Sequence, residues 1–211
     1  MIVQPIFQTP IFIERFPGLT DELGLEEYIK QCCYETPHTF DNTEFIQSRR
    51  DLQTVDHDLH QYWDHDLQKQ EVMRPLCRKI YDMMHSIVDV YQYHTYNIKI
   101  TSMWGNIQKP GTHFRRHSHY NNMFSGVFYL NEDKGFPPIM FWRPEEQSID
   151  PKKMEFNPFN QGSYFQPTKK DTLIMFPSWL QHSVELNETD KDRINISFNV
   201  MLRGDYYNVE L

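Results

Sequence analysis

The second half of this 211-residue chain is a succession of short β-rich runs, and that succession does most to narrow the fold. After Tyr93 come TYNIKITSMWGNI, the turn signal KPG at 109–111, and then FSGVFYL, IMFW, TLIMF and RINISFNVML. β-branched and aromatic runs punctuated by turn residues predict strands of a β-rich core. One longer polar, Pro-punctuated segment, Arg143 to Gln166, exceeds a plain hairpin loop and is expected to act as a lid or binding loop, with Phe156, Phe159, Tyr164 and Phe165 as its aromatics or its anchors.

The first half reads differently. Ile2–Phe7 and Ile11–Phe16, each bounded by Pro, predict strands or edge pieces that add to a sheet. From Thr20, taken as an N-cap, DELGLEEYIKQCC sets Leu25, Ile29 and Cys32 or Cys33 at helical spacing and predicts one helix. Val72, Leu76, Ile80, Met83, Met84, Ile87 and Tyr91 step by threes and fours, so a longer amphipathic helix is expected to brace the sheet with that stripe as core packing. Helices packed on an antiparallel sheet of short strands suggest a jelly-roll or related β-sandwich core in a single domain, 1–211. Its mixed strand and helix support region is 1–94, and its core, carrying the site, is 95–202.

Composition bounds the function classes. With 39% hydrophobic and 15% aromatic residues the chain has too much apolar surface to stay disordered. Its net charge of -8 and pI near 5.6 argue against a general nucleic-acid or anionic-membrane binder, although a local basic groove stays open. The start, MIVQPIFQTPIF, lacks a basic n-region and a continuous apolar core, and no run approaches the ~18 apolar residues of a membrane span. A cytoplasmic protein is the expectation. Cys32, Cys33 and Cys77 offer neither a disulfide framework nor a CxxC pair, and are expected to be reduced.

Three features of the β half carry chemistry together. His117 and His119 are two apart; in extended chain their rings would project side by side, as two ligands of one metal would. Alone, such a pair also fits exposed or hydrogen-bonded strand histidines. His182 follows a Phe-Pro break, 65 residues beyond His117, a reasonable gap for two strands meeting across a barrel; alone it fits a core or surface histidine. Arg193 begins a strand on which Ile194, Ile196 and Phe198 face one way, leaving Arg193, Asn195, Ser197 and Asn199 on the other. That row is either a solvated outer face or a buried set of donors suited to a carboxylate.

HxH, SGVFYL, LIMFPSWLQHSV and RINISFN, in that order, resemble the iron(II)- and 2-oxoglutarate-dependent dioxygenase superfamily over roughly residues 98–202. More narrowly they are similar to small oxygenases of phage and bacteria related to prolyl-hydroxylase-like enzymes. The resemblance implies a double-stranded β-helix (jelly-roll) core, so the fold class is mainly β with N-terminal helices bracing that core. It implies His117, His119 and His182 as ligands of Fe(II), and Arg193 as the partner of the distal carboxylate of 2-oxoglutarate, with O2 as co-substrate. Tyr129, in YLN at 129–131, is implied as a further hydrogen bond to that carboxylate, and Ser197, Asn195 and Asn106 as residues completing the pocket. The superfamily pattern has a carboxylate where this chain has His119. His113 is expected to be exposed or to lie behind the ligands.

The activity so implied is hydroxylation of a C–H bond of a peptidyl substrate, prolyl first, or of a small molecule, with release of succinate and CO2. Expected partners are the small-molecule co-substrate and a protein, peptide or metabolite, with neither nucleic acid nor membrane. A non-catalytic jelly roll that binds a metal or small acid, and a structural β-sandwich with incidental histidines, are the other classes. A rival cluster, DHDLHQYWDHD at 56–66, would place His57, His60 and Asp64 on one face if helical.

Overall fold

The structure is a computed structural model, and it describes residues 1–2, 8–35, 59–62, 66–144 and 149–204. Ten strands lie among the described residues: β1 Phe12–Arg15, β2 Leu59–Tyr62, β3 Thr95–Gln108, β4 Phe114–His117, β5 Phe124–Tyr129, β6 Ile139–Trp142, β7 Ser163–Gln166, β8 Thr172–Pro177, β9 His182–Val184 and β10 Arg193–Gly204. α-Helices described with them are α1 Leu19–Leu23, α2 Leu25–Glu35 and α3 Arg74–Tyr91. The strands form two antiparallel sheets, one ordered β1-β8-β5-β10-β3-β2 and one ordered β4-β9-β6-β7. This is the mainly β, helix-braced jelly roll that the sequence predicts.

Two apolar layers follow from strand alternation. On β5, Phe124 and Phe128 join the cluster shared with the helices, whereas Val127 and Tyr129 join the cluster between the sheets. On β10, Ile194, Ile196, Phe198, Val200 and Leu202 all point to the helix side, so Arg193, Asn195 and Asn199 occupy the inner face. They are buried there, which removes the solvated-face reading of this row. Each large apolar side chain so covered contributes roughly 1.5–3 kcal/mol against exposure.

The helix α3 buries Leu76, Cys77, Ile80, Met83, Met84, Ile87 and Val88 along the predicted stripe. It starts at Arg74, so Val72 falls in the 3-10 turn Glu71–Met73 before it. It stops at Gln92, whose left-handed φ of 54° lets the N–H turn back to the carbonyls of Asp89 and Val88.

The N-terminal helical stretch is two helices, not one, because Gly24 adopts a left-handed φ of 61° and breaks the run. Thr20 lies inside α1 rather than capping it. The cap is the carboxylate of Asp171, which accepts from the N–H groups of Gly18 at 2.7 Å and Thr20 at 2.9 Å. Of the two expected N-terminal strand pieces, the second is β1, an edge strand on β8, while residues 3–7 lie outside the described residues.

Residues 59–62 of the rival cluster form β2 and not a helix, so the helical face proposed for them is absent; His57 and Asp64 lie outside the described residues. The segment 143–166 ends in β7, which pairs with β6, and is therefore shorter as an irregular loop than its sequence suggests. The three cysteines form no disulfide, and no helix among the described residues is long and apolar enough to cross a membrane.

Candidate metal and diacid site

His117 closes β4 and His182 opens β9, and the two are direct cross-strand partners. Facing positions of antiparallel strands hold their side chains close; the two rings lie 4.3 Å apart. His119 lies two residues past the end of β4, so it is not the strand neighbour that the HxH spacing predicts. It is placed by its N–H, which donates to the carbonyl of Ser178 at 2.9 Å. Its ring still falls 5.1 Å from that of His117 and 5.2 Å from that of His182. One ring nitrogen of each histidine lies within 4.8 Å of the others, close enough to share one ion.

The orientation of two rings is fixed from behind. Nδ1 of His117 lies 2.7 Å from the carbonyl oxygen of Arg115, and Nδ1 of His182 lies 3.0 Å from that of Leu180. A carbonyl can only accept, so each Nδ1 carries the hydrogen and each Nε2 keeps its lone pair for a metal. Phe176 and Phe141 pack on His182 with ring centroids at 4.7 and 6.3 Å, which keeps water from its buried side. Trp104 lies against His119 at 5.8 Å.

Burial pushes all three imidazoles below their ordinary pKa, and repulsion from neighbouring rings adds to this for His119 and His182. His119 falls to about 4, from burial first and His117 second. His182, the most enclosed, lies well below the usual value through burial first and then the charges of His117 and His119, and His117 falls through burial alone, partly offset by its carbonyl partner. The rings are therefore neutral at neutral pH, the state a metal requires.

Ser178 is fully buried and braces this corner. Its hydroxyl lies 2.8 Å from that of Ser125, which donates to Asn199 at 2.7 Å, and Asn199 donates in turn to Ser102 at 3.0 Å. Asn199 thus belongs to the scaffold behind the histidines.

The inner face of β10 begins with Arg193, only 1% exposed. Its Nε donates to the hydroxyl of Thr168 at 3.1 Å, Nη1 to Oε1 of Gln108 at 3.2 Å and Nη2 to the hydroxyl of Tyr129 at 3.2 Å. The amide of Gln108 is itself locked, since its Nε2 donates to the carbonyls of Thr112 and Glu185 at 3.0 Å each. Every one of these acceptors is neutral. Among the described residues no carboxylate pairs with this guanidinium, which is unusual for a buried cation. The fork is thereby matched to an incoming carboxylate.

Beside it, Nδ2 of Asn106 donates to Oδ1 of Asn195 at 2.9 Å and to the Ser197 hydroxyl at 3.0 Å. His113 lies outside the histidine cluster, in a cleft with Arg115, Arg116, Trp142 and Glu185. Gln108 and Thr168 escaped the sequence reading. Gln108 shares the strand parity of Asn106 and was within reach of it; Thr168 stands in a loop, where no periodicity signals a role.

Fold and geometry define a jelly-roll protein with three histidines close enough to share one ion and a buried arginine that no carboxylate among the described residues pairs. Residues 102–199 match the sequence model of the family described as "Putative 2OG-Fe(II) oxygenase". No curated protein matches the chain in sequence.

Among solved structures it is similar to a prolyl-4-hydroxylase of Pseudomonas putida, with a TM-score of 0.55 and 14% identity over 94% of each chain. It is also similar to the non-heme α-ketoglutarate-dependent epimerase SnoN of nogalamycin biosynthesis, with a TM-score of 0.55 and 11% identity over 94% of this chain and 84% of that one. These likenesses speak for the fold.

Residues 102–199 carry the sequence pattern of the 2OG-Fe(II) oxygenases, and the fold has the form seen in the prolyl-4-hydroxylase. It is a 2-oxoglutarate-dependent oxygenase whose cofactors are Fe(II) and 2-oxoglutarate. The residues fit both: imidazole is a good donor for iron, and the unpaired guanidinium suits a carboxylate.

Proposed function

We propose that the chain is a hydroxylase acting on a peptidyl substrate, with a prolyl residue as the first candidate. His117, His119 and His182 hold the metal, and Arg193 and Tyr129 hold the distal carboxylate of 2-oxoglutarate. Asn195, Ser197 and Asn106 line the same inner face and complete the pocket. The observation that carries this reading is the convergence of three neutral imidazoles opposite a buried arginine that has no acid to pair with.

When bound, Fe(II) with 2-oxoglutarate supplies the oxygen chemistry, in which O2 converts the 2-oxo acid to succinate and CO2 and delivers one oxygen atom to a substrate C–H bond. The chain does the rest. Backbone carbonyls hold Nε2 of His117 and His182 toward the metal, Arg193 sets the direction of the diacid, and Phe141 and Phe176 keep water from the buried side.

His117 and His119 are only half-buried, so the cluster opens to solvent on their side. Two exposed aromatics adjoin the cluster in sequence, Tyr120 after His119 and Trp179 after Ser178, and Phe156 and Phe159 are exposed on the 149–162 loop. Exposed rings of this kind suit stacking on a pyrrolidine or an extended peptide, which favours a peptide over a nucleic acid for a chain of net charge -8.

The test is incubation with Fe(II), 2-oxoglutarate and O2 against a set of proline-containing peptides. Succinate release stimulated by a peptide, with one oxygen atom added to it, supports the reading. Release unaffected by any peptide but stimulated by a small metabolite would move the substrate class, and no succinate at all would remove the hydroxylase reading.

A further inference from the structure

Counting charges inside the barrel shows an imbalance. The three ligating groups are neutral imidazoles, and no Asp or Glu belongs to their cluster among the described residues. Arg193, the one buried cation among the described residues, has only neutral acceptors around it. The buried acid among the described residues is Asp171, and its carboxylate is committed to the N–H groups of Gly18 and Thr20 at the start of α1. A divalent ion at the histidines would therefore bring two further positive charges to a partly dry interior already holding one. Among the described residues no acid of the cluster offsets them, and uncompensated charge in such a place is costly.

Both sites face the same intersheet layer. Tyr129, which accepts from Arg193, packs in one apolar cluster with Phe141 and Phe176, the two rings that touch His182. A dianion reaching both metal and guanidinium would cancel two of these three positive charges.

We propose that His119 makes metal retention depend on the diacid: the ion binds weakly to the three imidazoles alone and tightly once 2-oxoglutarate, or another dicarboxylate of its reach, supplies the missing negative charge. The inference rests on the ligand and diacid roles proposed above. Linkage is reciprocal, so the metal tightens the diacid by the same factor. The physiological consequence is a site that stays largely metal-free when 2-oxoglutarate is scarce and loads as it rises.

The experiment titrates the full chain with Mn2+, read by the loss of the free-ion electron paramagnetic resonance signal, with and without saturating 2-oxoglutarate. For the native chain the diacid should tighten Mn2+ by about tenfold or more, within the usual range of coupling between sites. In His119→Asp, which builds an anion into the ligand set, Mn2+ should bind more tightly alone and the enhancement should shrink. If that variant does not fold, the native chain with 2-oxobutyrate, which lacks the distal carboxylate, gives the second reading: its enhancement should be well below that of 2-oxoglutarate. Equal Mn2+ affinity with and without diacid, or an enhancement undiminished both in His119→Asp and with 2-oxobutyrate, overturns the inference while leaving the metal site standing. Absence of Mn2+ binding under all conditions overturns the ligand assignment itself.

Discussion

Nη2 of Arg193 donates to the hydroxyl of Tyr129 at 3.2 Å, and the guanidinium carbon lies 4.9 Å from the centroid of the same ring. The pair is fully enclosed, and burial pushes the arginine's pKa down and the phenol's up. Neither change alters its charge state at neutral pH, since guanidinium stays protonated and phenol stays neutral. One member supplies charge and direction; the other supplies a hydrogen-bonding hydroxyl beside it.

Arg193→Lys is therefore expected to keep the charge but lose the fork, and with it the bonds to Thr168 and Gln108. Its 2-oxoglutarate affinity should fall by about tenfold or more, equivalent to roughly 1.4 kcal/mol. Tyr129→Phe removes a single hydrogen bond and should cost about 1 kcal/mol, a several-fold loss. Calorimetric titration of 2-oxoglutarate into the Mn2+-loaded variants checks both, and equal affinity for the native chain and Arg193→Lys would contradict the assignment.

The histidines make a second prediction, for pH. Their pKa values are lowered in the fold, so between the ordinary imidazole value of about 6.5 and about 4 the unfolded chain takes up protons that the folded, metal-free chain refuses. A group with a depressed folded pKa leaves stability intact above its unfolded value and drains it as pH falls below that value. The urea midpoint of the metal-free protein should thus decline from pH 6.5 toward pH 4, and less steeply in His119→Asn. Metal affinity should hold through the usual imidazole range and fail below it. A urea midpoint unchanged across this interval would count against neutral buried rings.

The elements most readable from sequence were those set by side-chain alternation or helical spacing. The stripe of α3 and the split of β10 into an apolar and a polar face appear as expected, because both are dictated by the 3.6- and 2-residue periods. What the alternation of β10 left open was which of its faces met water. That depended on distant residues, Gln108 of β3, Tyr129 of β5 and Thr168 of a loop, meeting around Arg193. The HxH pair came together for a reason other than strand spacing, since His119 is held by the carbonyl of Ser178, 59 residues away in sequence (178 − 119). Likewise no local signal at Thr20 reveals that Asp171 caps α1.

That long-range cap gives a third prediction. Asp171 sits at φ 62°, its carbonyl accepts from Phe16, its N–H donates to the carbonyl of Tyr129, and its carboxylate holds Gly18 and Thr20. Burial raises its pKa, but the donors of Thr20 and Gly18 and the nearby Lys170 outweigh that and leave it below the ordinary value. Its stabilisation is present above the unfolded carboxyl value and is lost only as pH falls through the lower folded one, a window distinct from that of the histidines. Asp171→Ala should cost about 1–2 kcal/mol by urea denaturation, from the lost cap and from alanine in a left-handed conformation. Asp171→Asn, which keeps an acceptor and tolerates that φ, should cost less. Equal losses in the two variants would place the effect elsewhere than in the cap.

The last prediction concerns the strand that separates the two apolar layers. Gly126 lies in the middle of β5, opposite Met175 of β8 and Phe198 of β10. A Cβ there would run into the ring of Phe198 and would come within 2.6 Å of the backbone oxygen of Ile174. The ring can rotate or be trimmed, but the carbonyl belongs to the ladder between β5 and β8 and cannot move without disturbing the register that places Tyr129. Gly126→Ala should therefore destabilise the protein by about 1–3 kcal/mol, the usual cost of overpacking. Adding Phe198→Leu should restore only part of that, since the clash with the backbone remains. The double-mutant cycle in urea decides the matter: full rescue by Phe198→Leu would mean that the ring alone sets the requirement for glycine, while partial rescue with weakened 2-oxoglutarate binding would tie the close approach of β5 and β8 to the placement of the diacid pocket.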